Sequence, residues 1–192
     1  MAIDMKKTIA EAASNLLFEK KVKKLTVKDI VEECHITRQA FYYHFEDKYD
    51  LVNWYFQSGV TQFLVERSAY ASWNALLEAV EDYLLENKVF YCNALAYTGQ
   101  NSLQQYIFDY LSSIFMQRAK ELRPGIGADE NLLVGRFFAG ALMGILQPWV
   151  LGGMKTNTTR PSQAVPLLSV DELEVILRGE LGETHEPGKL PQ

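Results

Sequence analysis

The stretch TVKDIVEECHITRQAFYYHFEDK, residues 26–48, holds two short helix patterns back to back. Thr26 followed by Asp29 is a helix start, in which a hydroxyl and a carboxylate satisfy backbone N–H groups that the helix leaves unpaired. Leu25 before that cap and Ile30 inside the helix can staple across it. Val27, Ile30, Val31 and Cys34 then recur at helical spacing. The pattern restarts at once. Thr37 can cap a second helix with Ile36 and Phe41 as its staple, and Ala40, Phe41, His44 and Phe45 follow on one face.

Only His35 and Ile36 separate the two helices, apart from the Thr37 cap. So tight a link fits a helix-turn-helix, whose second helix enters the DNA major groove. A plain helical hairpin with a solvated face is the weaker alternative. Arg38, Gln39, Tyr42 and Tyr43 fall on or beside the polar face of the second helix. Arg can bond bidentately to guanine and Gln to adenine, while Tyr hydroxyls and Lys suit phosphates. Asp47 can cap a third helix with Lys48 at its start, where an N–H and an ammonium could share one phosphate.

The whole chain has 192 residues, 48 % of them hydrophobic, which suffices for a real core in one large domain or two small ones. The net charge of −5 is unevenly placed. Residues 1–50 carry nine basic and nine acidic residues, and the excess of acid lies wholly in the remainder. A nonspecific nucleic-acid coat is therefore excluded, and DNA binding would rest on a few placed cations. Lys20, Lys21, Lys23, Lys24, Lys28, Arg38 and Lys48 are those cations. The apolar run from Phe137 to Val150 is short for a membrane span and contains Gly140, Gly144, Gln147 and Pro148, so it reads as a buried helix. MAIDMKKTIAEAA reads as an amphipathic helix start and not as a signal peptide. Cys34 and Cys92 read as buried free thiols of a reducing cytoplasm.

No strand-like alternation of useful length occurs, so the chain reads as all-α. Helix patterns run from Asp4 to Lys20, from Lys48 to about Arg67, after a break at Ala69 to Trp73 on to about Glu86, from Lys88 to Thr98 and from Ser102 to Leu122. After RPGIG, Asp129 can cap a long helix in which Gly135, Gly140 and Gly144 lie near one face and Pro148 should impose a kink or stop. Residues 155–166 read as an exposed loop, a last helix opens at Ser169, and residues 182–192 read as a disordered tail. The expected division is 1–47 as the helix-turn-helix domain, 48–181 as the second domain and 182–192 as tail.

LTVKDIVEECHITRQAFYYHFEDKYDL resembles the N-terminal signature of the tetracycline-repressor (TetR) family, through Thr26, Val27, Ile30, Thr37, Phe41, Tyr42, Phe45, Lys48, Asp50 and Leu51. His35 and Gln39 stand where that family usually has Gly. His35 implies a left-handed residue in the turn, and Gln39 a longer side chain at the DNA surface. The resemblance implies an N-terminal three-helix DNA-binding domain and a C-terminal helical domain for effector binding and dimerisation. The expected DNA-contacting set is Thr26, Lys28, Thr37, Arg38, Gln39, Tyr42, Tyr43, His44 and Lys48. It also implies an effector pocket in the second domain, for which Tyr83, Tyr91, Tyr106, Tyr110 and Trp149 are candidates; the bland reading is plain aromatic core. The short second domain and its YCNAL stretch resemble the subgroup related to activators of dihydroxyacetone-kinase operons.

The expected function is a cytoplasmic, homodimeric, ligand-responsive repressor on a near-palindromic operator. The expected partners are double-stranded DNA, a second copy, and a small-molecule effector or protein co-regulator, with no membrane. The alternatives are an activator working through a protein partner, or an interaction module that no longer reads DNA. His35, His44 and His185 are the only histidines, and no metal spacing, phosphate loop or nucleophile elbow occurs, so no enzyme, metal or cofactor is expected.

Overall fold

A computed structural model describes residues 4–66, 73–155 and 159–164. Regular structure among them is helical throughout: α1 (Met5–Glu19), α2 (Val27–Glu33), α3 (Arg38–His44), α4 (Lys48–Glu66), α5 (Trp73–Glu86), α6 (Lys88–Leu95), α7 (Leu103–Leu122), α8 (Ala128–Leu151) and α9 (Pro161–Ala164). The helix expected from Ser169 and the tail from 182 lie outside the described residues.

Local signals start the first four helices and stop α2. Thr26 and Asp29 form a reciprocal capping box: Asp29 N–H donates to Thr26 Oγ1 at 3.1 Å, and Thr26 N–H donates to Asp29 Oδ2 at 2.9 Å. The Lys20 ammonium adds a bond to Asp29 Oδ1 at 3.0 Å. Bonding from Thr26 first and Lys20 second holds the Asp29 carboxyl at about 2. α2 ends in a Schellman motif. Ile36 N–H donates to Val31 O and His35 N–H to Glu32 O, while His35 takes φ 54°. That is the left-handed residue expected in the turn. Ala40 N–H then donates to Thr37 Oγ1 at 3.1 Å, and Tyr49 and Asp50 N–H both donate to Asp47 Oδ1. Ile9, Ala13, Leu17, Leu25, Ile30, Phe41 and Phe45 are buried between α1, α2 and α3.

The same core continues through Leu51, Val52 and Phe56 of α4 to Phe90 and Tyr91 of α6. α7 and α8 make the most extensive helix pair among the described residues. Gly135 explains their approach: a Cβ there would lie 2.7 Å from the Ser112 carbonyl and 2.4 Å from Met116 Cγ. Gly140 and Gly144 do not share that face. The nearest neighbour of a Cβ at Gly140 is Phe108 at 3.9 Å, and none lies within 4 Å at Gly144.

Four expectations are corrected. Gly127, not Asp129, is the N-cap of α8; Asp129 and Glu130 sit in its first turn, where carboxylates favour the positive end of the helix. Pro148 does not stop α8, which runs on to Leu151 and closes through Gly152 N–H to Pro148 O at 2.8 Å. Proline stands in the last turn, so a single ladder bond is lost. α8 is not a buried helix either. It is long and apolar enough to cross a membrane by length and composition, and only 28 % of its most apolar window is buried. Leu132, Leu133, Phe137 and Leu151 are among its exposed residues. Finally, the described residues 159–164 of the expected loop are not simply exposed. α9 docks on α5: Ser162 N–H and hydroxyl donate to the buried Glu81 carboxylate at 2.6 and 2.8 Å, and Arg160 pairs with Asp82 at 2.8 Å.

Candidate nucleic-acid interface

The outer face of α3 carries Arg38, Gln39, Tyr42 and Tyr43, all exposed, the last at 85 %. Phe41 on the opposite face is fully buried and stacks edge-on with Tyr42 at 5.4 Å. One helix thus anchors by an aromatic and offers polar groups outward. Arg38 and Gln39 stand in its first turn, the end from which a reading helix contacts base edges. His44 is half-buried, with its ring edge-on to Tyr43 at 5.0 Å.

The other expected contacts are partly committed inside the module. Thr26 and Thr37 are exposed, but their hydroxyls cap α2 and α3. Lys28 is exposed and lies 3.6 Å from Glu32. Lys48 turns inward. Its ammonium donates to Leu25 O at 2.6 Å, Val22 O at 2.8 Å and Lys23 O at 3.3 Å, closing the α1–α2 turn. Burial is the main influence on it and pulls its pKa below the ordinary lysine value, against the charges of Asp47 and Asp29. The sequence offered no signal for this task, because the carbonyls stand more than twenty residues back.

Aromatic and polar contacts tie the first half of α4 to the α6–α7 connection, and α1 to α6. Tyr49 of α4 stacks on Tyr97 with centroids 4.7 Å apart, and the hydrogen bond between them, with burial, pushes the Tyr49 hydroxyl up to about 12. Asn53 Nδ2 donates to Asn101 O at 3.4 Å, and Asn93 Nδ2 to Leu17 O at 2.6 Å. Beside the joint lies a polar groove of about 330 Å³, lined by residues that include Glu46, Asp47, Asp50, Gln105, Tyr106 and Asp109.

Of the aromatics expected around an effector, Tyr91 is buried and Tyr83, Tyr106, Tyr110 and Trp149 pack half-buried on the same core. Phe56 meets Tyr91, Tyr106 and Tyr110 edge-on, with centroids 6.2–6.4 Å apart. Tyr83 reaches α4 so closely that a Cβ on Gly59 would stand 2.2 Å from its hydroxyl. The Trp149 indole N–H is buried without a hydrogen-bond partner among the described residues. Among those residues, too, no group of His, Cys, Asp or Glu is placed to hold a metal ion.

An anchored, capped helix pair with a polar reading face, carried on a helical second domain, defines a helix-turn-helix DNA-binding protein. Residues 9–58 match the family of bacterial regulatory proteins named for tetR, and residues 71–163 match a transcriptional regulator C-terminal region of the same family. The chain belongs to the TetR family of transcriptional regulators, which are not enzymes. Over 90 residues it is 31 % identical to the HTH-type dhaKLM operon transcriptional activator DhaS of Lactococcus lactis subsp. lactis (strain IL1403). That match spans 47 % of this chain and 48 % of the relative, about half the length of each. The fold is similar to that of a dihydroxyacetone kinase operon activator DhaS, with TM-score 0.56 and 20 % identity over 94 % of this chain and 97 % of the other. A proposed transcriptional regulator from Pseudomonas aeruginosa PAO1 has TM-score 0.50 and 19 % identity, over 91 % and 92 % of the two chains.

Proposed function

We propose that this chain is a homodimeric regulator that reads a near-palindromic operator with α3 and represses transcription until an effector binds the second domain. The observation that carries the reading is the face of α3, where Arg38, Gln39, Tyr42 and Tyr43 stand exposed on a helix anchored by Phe41. Arg38 and Gln39 read bases; Tyr42 and Tyr43 meet the backbone. The exposed apolar face of α8 supports pairing with a second copy, since a two-fold site needs a two-fold protein. The two heads then enter successive major grooves about 34 Å apart. Such a regulator works in the cytoplasm. The aromatic core around Phe56 is the place for an effector, which acts only if it binds one spacing of the heads better than the other.

A second reading, activation through a protein co-regulator on the second domain, is favoured by one observation. The relative over 90 residues is named as an operon activator. One experiment addresses both readings. Purified protein is used to select bound fragments from the source genome, and affinity is then measured against salt. A recovered inverted repeat with steeply salt-dependent binding supports the reader. Recovery at background level would count against it. Overlap of the repeat with a promoter core favours repression, and a position upstream favours activation.

A further inference from the structure

We propose that Cys92 and Asn93, adjacent residues of α6, form a clasp that mechanically couples the end of α8 to the end of α1, and so to the DNA-reading head. Asn93 Nδ2 donates to Leu17 O at 2.6 Å, and the Cys92 thiol donates to Val150 O at 3.1 Å. Both acceptors lie in the last turn of their helix, where intrahelical donors run out; Val150 O also accepts from Gly153 N–H at 2.9 Å, so the thiol is its second donor. One short helix thus bonds two helix ends, one on each side. Phe90, Tyr91, Ala94 and Leu95 bury α6 between them, so α6 has little room to move independently. Leu17 is fully buried in the same core as Ile30 and Phe41, so a shift of the α1 end is passed to the α2–α3 pair. Val150 is fully buried as well, in the helix whose other face is left exposed. A rearrangement on α8 therefore reaches the head through α6, in addition to any motion of α4.

The bonds are unequal. The amide bond of Asn93 is short and partly buried, whereas a thiol is a weak donor. Asn93 is the positioning residue, and Cys92 seats α6 on α8. The proposal rests on the regulator reading only for its purpose; the clasp itself is tested in the free protein, so the two can fail separately.

The experiment is hydrogen exchange read by mass spectrometry on the full chain and on Cys92→Ala and Asn93→Leu. Cys92→Ala removes the contact with α8. Exchange is expected to rise about fivefold not only in the last turn of α8 but also in the last turn of α1 and in α2, the loss of one modest hydrogen bond felt at a distance. Asn93→Leu is expected to show the mirror image, with the α8 end loosened along with the head. Asn93→Ser, a smaller change, serves if the leucine variant does not fold. Changes confined to the α8 end in Cys92→Ala, and to the α1 end in the Asn93 variant, would overturn the coupling and leave two independent caps. A uniform rise along the whole chain would overturn it as well, since a merely structural role predicts that.

Discussion

The Lys48 ammonium lies 2.6 Å from the carbonyl oxygen of Leu25, a residue 23 positions earlier in the chain. Val22 O and Lys23 O complete the set, so all three ammonium donors face carbonyls of the α1–α2 turn. A phosphate would have to draw that ammonium away from them. Lys48→Met should therefore lower the stability of the free protein by about 1–2 kcal/mol, measured by urea unfolding. A variant as stable as the wild type, with a salt slope of DNA binding lower by about one, would instead mean that Lys48 serves a phosphate.

Arg38 and Gln39 are the opposite case, exposed on α3 and remote from the core. Arg38→Ala and Gln39→Ala should each weaken preference at particular base pairs by about 1–3 kcal/mol, with melting unchanged. Phe41→Ala, at a fully buried ring, should cost about 3–5 kcal/mol of stability and abolish binding through unfolding. Binding selections run beside thermal melts separate the two outcomes. Equal loss across all base pairs in Arg38→Ala would assign that guanidinium to the phosphates.

His35 pays for its place in the α2–α3 turn with a left-handed backbone, φ 54°. Glycine adopts that conformation freely, and the Schellman bonds use only backbone atoms. His35→Gly should raise stability by about 0.5–1 kcal/mol in urea melts. Lower stability would mean that the imidazole makes up more than the strain costs.

What was legible follows from range along the chain. Thr26 with Asp29, Thr37 and Asp47 act within one helical turn, so their caps could be read directly, as could the odd residue His35 in a turn that wants φ above zero. The polar face of α3 was equally local. Contacts that close over long stretches leave no period behind. Nothing near Lys48 announces that Val22 and Leu25 will receive its ammonium, and nothing near Ser162 points to Glu81, 81 residues away. The apolar run of α8 was visible, but composition does not tell a helix covered by its own chain from one left bare for another.

Glu81 gives a dependence on pH. Its buried carboxylate holds Ser162, and burial, the largest influence, raises its pKa; Ser162 and Arg160 pull the other way, and Glu78 pushes up. A carboxyl raised on folding binds its proton more tightly in the folded state. Its contribution is thus fully present below the ordinary value of 4.5 and lost as pH rises through the folded value. Glu81→Gln, which stays neutral, should be more stable than wild type at about pH 8, and the gap should close near pH 4. A gap that does not vary with pH would show that the carboxylate is as well accommodated as its acid.

Leu133 and Phe137 stand one turn apart on α8, each 68 % exposed. Gly144, further along the helix, has open space where a Cβ would point. Apolar side chains about two and three turns from a bare glycine offer a ridge and a place for close approach, which suits a second helix better than water. Both side chains stand mostly in solvent on a single protomer, so replacing them separates assembly from folding. Phe137→Glu should give a monomer with unchanged helix content by circular dichroism, detected by sedimentation equilibrium. Its binding to an inverted repeat should fall steeply, because each head then binds its half-site alone and loses the effective concentration a linked partner supplies. A dimer that persists in Phe137→Glu, and again in Leu133→Glu, would move the two-fold contact off this face of α8.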